Sequence, residues 1–120
     1  MSSQPDLDEA LIAAAREGKL EEIRSLLDRG ANINAGGADN NTPLHDASAN
    51  GHHQCVELLL DRNANVNAVN TDNYTPLHYA SASLYESHQC IELLIDRGAD
   101  KSIKDVRADG RDSLLHLLLI

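Results

Sequence analysis

The side chains best suited to chemistry come in duplicate: His53-Gln54-Cys55 and His88-Gln89-Cys90. Imidazole and thiolate are the ligands zinc favours, so two such pairs raise a metal centre. Helical geometry opposes it. At 3.6 residues per turn, side chains two apart point about 200° from one another and cannot share one ion. Equivalent cysteines in neighbouring layers would stand about 8–10 Å apart, too far for a disulfide. Both are therefore expected in the core as small apolar residues, with no metal or cofactor. His53 and His88 read as partly exposed packing residues, with a proton-dependent loosening of their seam as the alternative. His45 and His78 are a second recurring pair, yet no Ser or Cys nucleophile stands at a comparable recurring position. Gly36-Gly37 lacks the Lys-Ser/Thr that follows in a phosphate loop. Carboxylate pairs mean little in a chain with 19 acids. No catalytic residue is assigned, and the chain reads as non-enzymatic.

The elements that carry these side chains recur every 33 residues. Thr42-Pro43-Leu44-His45, with Ala47, returns as Thr75-Pro76-Leu77-His78, with Ala80. Cys55-Val56-Glu57-Leu58-Leu59-Leu60 returns, allowing a short insertion in the second copy, as Cys90-Ile91-Glu92-Leu93-Leu94-Ile95, each followed by Asp-Arg, then Asn63 or Gly98, then Ala. Such self-similarity is the signature of a stacked-repeat architecture. Thr42 and Thr75 suit helix N-caps, and Pro43 and Pro76 the first helical position, where the missing N–H is harmless. A second helix is expected from about Gln54 to Arg62, with Val56, Leu59 and Leu60 on one face. Gly30, Asn63 and Gly98 stand where a left-handed residue ends the second helix. Residues Ala64 to Tyr74 should then project as an extended finger with Asn73 at its tip.

With its Thr-Pro-Leu-His-x-Ala start and its closing Ala-Asn-Val-Asn-Ala at residues 64–68, the chain resembles the ankyrin repeat family. The resemblance implies an all-α fold, an ankyrin repeat solenoid of helix-turn-helix units with projecting β-turn fingers. It divides a single domain, 1–120, into an N-terminal cap repeat at about 7–36, a repeat at 37–69, a repeat with an insertion at 70–106, and a partial unit at 107–120. The cap lacks the tetrad and carries Asp6, Asp8 and Glu9 around Leu7, as a polar end of a stack should. Asn73 takes a position where the family has Gly. The resemblance further implies that His45 and His78 tie neighbouring turns together by hydrogen bonds. Asn34 and Asn67 are similar to finger asparagines that are hydroxylated in some members.

Composition fits one domain. Hydrophobic residues make up 42% and aromatics only 2%, so Leu, Ile, Val and Ala must build the core. Two cysteines are too few for a disulfide scaffold, and Met1 to Leu11 has acids where a signal peptide has bases. A reducing compartment, cytoplasmic or nuclear, is the expectation. The net charge is −9, and between Gly30 and Asp96 Arg62 is the only Lys or Arg against Asp39, Asp46, Glu57, Asp61, Asp72, Glu86, Glu92 and Asp96. That balance repels nucleic acid and anionic membranes. The bases Arg97, Lys101, Lys104, Arg107 and Arg111 alternate with Asp100, Asp105 and Asp109 and read as a solvated turn.

Partners of ankyrin repeat proteins lie along the concave face, made by finger tips and first helices. Carried onto this sequence, the resemblance implies a protein-binding surface of Ala38, Asp39, Asn41, Asp46, Ala49 and Asn50 in one repeat and Thr71, Asp72, Tyr74, Tyr79, Ala82 and Ser83 in the next. Tyr74 is either an exposed anchor or a ring lying along its own finger. Tyr79 either joins the surface or fills the groove between layers. The partner expected is a protein with a basic or mixed-charge segment, which the acidic surface would attract. The apolar run Leu114-Leu115-His116-Leu117-Leu118-Leu119-Ile120 supplies the alternative. There, the chain is an interaction or regulatory segment of a larger protein that associates, or self-associates, through residues 114–120. The same run folding back onto the third repeat is the remaining possibility. The insertion at Leu84-Tyr85-Glu86 is either a private functional loop or tolerated drift.

Overall fold

The described residues hold six α-helices: those opening at Gln4, Pro43 and Pro76 have a side chain that satisfies a first free amide, and those opening at Leu20, His53 and His88 do not. The computed structural model describes residues 3–83, 85 and 87–102. Helix α1 (Gln4–Glu17) is capped by Ser3, whose hydroxyl accepts from the Asp6 N–H at 3.4 Å, and it starts ahead of the boundary near residue 7 expected for the cap unit. In α3 (Pro43–Ala49) and α5 (Pro76–Ala82) the expected caps are present. The Thr42 hydroxyl accepts from the His45 N–H at 3.3 Å and the Thr75 hydroxyl from the His78 N–H at 3.2 Å. Each imidazole Nδ1 answers by accepting the threonine N–H, at 3.1 and 2.9 Å. A cap of this kind stabilises a helix by about 1 kcal/mol.

The returning helices are α2 (Leu20–Asp28), α4 (His53–Asp61) and α6 (His88–Asp96). Helix α4 lies one residue upstream of its expected span at both ends. Gly30, Asn63 and Gly98 follow the three helices with φ of 99°, 69° and 97°, the left-handed turn that lets the chain leave as a finger. Among the described residues there is no strand, so the architecture is all-α as expected.

Helices α1, α3 and α5 pack in one row and α2, α4 and α6 in a second. Files of side chains at the repeat spacing fill the space between them: Leu11, Leu44 and Leu77 in one, Leu26, Leu59 and Leu94 in another. All six are buried, and Ile23 and Val56 join them. Each fully buried side chain of this size contributes about 1.5–3 kcal/mol, and none of these layers could cover its own apolar face alone. Cys55 and Cys90 lie in the same core as free thiols. The apolar run at 114–120, the Lys104 to Asp112 turn, and Leu84 and Glu86 of the insertion lie outside the described residues.

Candidate binding surface

Finger one (31–41) and finger two (64–74) are held to each other and to the helices by a periodic set of hydrogen bonds. Each tip closes on itself, Gly37 N–H to the Asn41 carbonyl at 2.9 Å and Asn70 N–H to the Tyr74 carbonyl at 3.0 Å. Asn40 and Asn73, 33 residues apart, take φ of 61° and 64° there. At the base, the Asp8 carboxylate accepts the Asn32 N–H at 2.7 Å, Asn34 Oδ1 the Asn65 N–H at 2.9 Å, and Asn67 Oδ1 the Asp100 N–H at 2.7 Å. One side chain per layer thus fixes the backbone of the next. Nearer the tips, the Thr71 N–H donates to the Asp39 carbonyl at 3.0 Å, which sets the two tips side by side.

Asn70 organises the second tip. It is buried, and its Oδ1 accepts the Asp72 N–H at 3.0 Å and the Tyr74 N–H at 2.9 Å. Its Nδ2 donates to Asn41 Oδ1 at 2.9 Å and to the Tyr79 hydroxyl at 2.8 Å. The Tyr74 carbonyl in turn accepts from His45 Nε2 at 2.8 Å, so His45 links its own layer to the following finger. With Nδ1 accepting and Nε2 donating, this imidazole is neutral, and burial holds its pKa below the ordinary histidine value. The bond to Tyr74 opposes that shift and the neighbouring His78 adds to it.

The rings of Tyr74 and Tyr79 are half-buried. Tyr74 meets His78 edge-on at 5.6 Å and lies 5.8 Å from Tyr79, which meets His45 edge-on at 5.3 Å. Tyr79 therefore fills the groove between layers. Its hydroxyl pKa is pushed up, first by burial and further by the fields of Asp46 and Asp39, against contacts with Asn41 and Asn70. Of the other surface residues named from the sequence, Ala38, Asp39, Thr71, Asp72 and Ala82 are exposed. Asn41, Asp46, Ala49, Asn50 and Ser83 are half-buried, and several spend their polar groups internally. The Asn50 amide donates to the Asp46 carbonyl at 3.0 Å, and the Ser83 hydroxyl donates to the Ala49 carbonyl at 2.7 Å.

Charge is redistributed by the stacking. Arg16, in the cap helix, reaches Asp46 at 3.7 Å, so the half-buried carboxylate meets a base from outside the acidic stretch. Burial nevertheless raises the Asp46 pKa, with Arg16 partly offsetting. On the second-helix side, Arg62 pairs with Asp28 at 3.2 Å and Arg97 with Asp61 at 2.7 Å. Asp39 and Asp72 enter no ion pair among the described residues. His53 is half-buried and His88 exposed, while the cysteines two residues on are buried. Burial pushes both thiols up, Cys90 to about 11, with Cys55 adding to its shift. No three His, Cys, Asp or Glu side chains among the described residues are grouped to hold a metal.

The family model for ankyrin repeats in three copies matches residues 11–105. The chain belongs to the ankyrin repeat family. Ankyrin repeats generally mediate protein–protein interaction and are typically non-enzymatic. This ankyrin domain is similar to the human oxysterol-binding protein-related protein 1, at 45% identity over 56 residues, which are 45% of this chain and 6% of that protein. The shared part is thus a small fraction of the relative. Among the described residues no helix is long and apolar enough to cross a membrane. Within the ankyrin domain, three contributors escape a reading of single repeats: Asn70, Arg16 and His52, whose Nε2 lies 3.0 Å from the Arg16 carbonyl. A signal for Asn70 exists in register, because it stands 33 residues after Gly37 and replaces no side chain with an amide.

Proposed function

We propose that the domain is a non-enzymatic protein-binding module whose acidic concave surface takes a basic or mixed-charge segment of a partner protein. The observation that carries the reading is the pair of exposed carboxylates, Asp39 and Asp72, on adjacent tips pinned by the Thr71 to Asp39 backbone bond. A cationic segment laid across both tips would meet both carboxylates at once. The ordered tips keep the entropic cost of binding low. Tyr74 and Tyr79, half-buried with rings 5.8 Å apart, and the exposed Thr71 and Ala82 complete the surface. Two free, buried thiols accord with work in a reducing compartment, cytoplasm or nucleus.

The test compares the chain with its Asp39→Lys, Asp72→Lys double variant in affinity capture from lysate at two salt concentrations, followed by association kinetics on the captured protein. The reading expects slower association by the variant and a flatter salt dependence. Equal association rates at low salt would refute the electrostatic mechanism, and equal capture would remove the concave surface altogether.

A further inference from the structure

The three tyrosines divide by exposure. Tyr74 and Tyr79 are half-buried, whereas Tyr85 is 63% exposed and, with Val69, is one of two large apolar side chains exposed among the described residues. It stands on the connection from α5 to α6, which takes residues 83–87 where the connection from α3 to α4 takes 50–52. Two serines hold its backbone. The Tyr85 N–H donates to Ser83 Oγ at 3.1 Å, and that hydroxyl donates to the Ala49 carbonyl at 2.7 Å. The Ser87 hydroxyl is shared between the Tyr85 carbonyl at 3.2 Å and the Ala80 carbonyl at 2.7 Å. Tyr85 is thereby fastened to the last turns of α3 and α5 while its side chain stays in solvent, so little conformational entropy remains to be lost when the ring is buried.

The same edge of the stack carries a hollow. Where the α1–α2 and α3–α4 connections meet, Gly18, Gly51, His52, His53, Gln54 and Cys55 line about 190 Å³, somewhat more than the roughly 150 Å³ that holds a benzene ring. One wall is fixed by His52, whose Nε2 donates to the Arg16 carbonyl at 3.0 Å and whose ring lies so close over Gly18 that a methyl there would stand 2.7 Å from Nδ1. No Asp, Glu, Lys or Arg lines the hollow, and charge is scarce along the edge as a whole. Such residues make up 24% of the chain, yet stretches 47–56 and 73–91 contain one, Glu86. On the first connection Glu17 and Lys19 answer each other at 3.6 Å. An exposed tyrosine among uncharged polar side chains has the composition of an interface core.

We propose that this edge pairs with the same edge of a second copy of the chain, each Tyr85 ring entering the other's hollow. Knob and hole lie on one edge but in different layers. A two-fold axis between them lays the two edges antiparallel and brings each knob to the opposite hole, which is the self-complementarity that an isologous dimer requires. Charge selects the same edge. Two copies of net charge −9 repel each other, and they approach most easily where charged side chains are fewest. The connections follow the C-terminal ends of α1, α3 and α5, while the fingers meet the N-terminal ends of α3 and α5. A dimer of this kind leaves Asp39 and Asp72 free, so the inference neither uses nor alters the concave-surface reading.

The test is sedimentation equilibrium of the full chain over a range of concentrations at low and high salt. The proposal expects an apparent mass that climbs toward twice the monomer with concentration and climbs further at high salt, which screens the mutual repulsion. Salt acts in the opposite sense on the acidic tips, so the two readings fail separately. Tyr85→Ala removes the knob, and Gln54→Arg sets a longer, charged side chain in the hole. Both positions are exposed, and circular dichroism checks that the helices persist. Each variant should dimerise about tenfold or more weakly. Mixing the two should recover part of the association, because one intact knob then faces one intact hole. A chain that stays monomeric at every concentration and salt would overturn the proposal. So would association that Tyr85→Ala leaves unmoved while Leu118→Glu abolishes it, or a mixture no more associated than either variant alone.

Discussion

Replacing Asn70 with Ala removes the group that holds the second finger tip in place. Four hydrogen bonds of 2.8 to 3.0 Å end on its side chain. At about 0.5–1.5 kcal/mol each, they set a ceiling near 6 kcal/mol. Water recovers part of this, because Asp72 is exposed and Asn41 and Tyr79 are half-buried. The expected loss is about 2–3 kcal/mol, read from urea denaturation with m unchanged. Asn70→Asp keeps the two bonds accepted from Asp72 and Tyr74 and loses the two donated ones, so it should fall between Ala and the parent. Hydrogen exchange locates the effect, since the Asp72 and Tyr74 amides lose their acceptor and should exchange faster in the Ala variant. Asn70→Gly copies the residue that finger one uses at Gly37. A loss under about 0.5 kcal/mol for Asn70→Ala, with Asp72 and Tyr74 protection intact, would refute the assignment of Asn70 as the organiser of the tip.

Other perturbations separate the remaining contributions. Asn63→Gly should stabilise by up to about 1 kcal/mol in thermal or urea unfolding, because φ of 69° suits glycine better than asparagine. A double-mutant cycle on Asp61 and Arg97 should return less than about 1 kcal/mol and shrink with salt, since both side chains are largely solvent-accessible. His45 binds its proton less readily folded than unfolded, so its contribution to stability is complete above its ordinary value of 6.5 and is lost as pH falls through the lower folded pKa. The urea midpoint should therefore drop on going from pH 7 to pH 5, and His45→Gln should flatten that dependence. With Cys90 raised to about 11 and Cys55 buried beside it, neither thiol should react with a water-soluble disulfide reagent at pH 8 until the chain unfolds.

Local rules made the helices legible from the residues alone. A threonine before a proline fixes where α3 and α5 begin, because an N-cap hydroxyl and a missing N–H both suit that end and no other. The left-handed turns at Gly30, Asn63 and Gly98 were readable for a similar reason, since few residue types tolerate positive φ. Three-and-four spacing of Val56, Leu59 and Leu60 picked out three residues that α4 buries, and the stacking buries Leu58 as well. His and Cys two apart had to diverge, and the core duly receives Cys55 and Cys90 while His88 is exposed.

Contacts between layers were beyond that reach. Arg16 meets Asp46 across 30 positions of sequence and Asn70 meets Asn41 across 29, and no local pattern marks either pair. Judged by stretches of sequence, Asp46 belongs to an acidic stretch whose one base is Arg62, whereas stacking brings it a base from the cap helix. Tyr74 and Tyr79 had two readings each until the packing set their rings against the two tetrad histidines. The sequence by itself determined the repeat, the starts of α3 and α5 and the family, because each follows from residue types at fixed spacing. Only the tertiary structure decided which polar groups are consumed between units and which remain exposed for a partner, because a hydrogen bond or charge pair depends on distances that exist only once the layers have stacked.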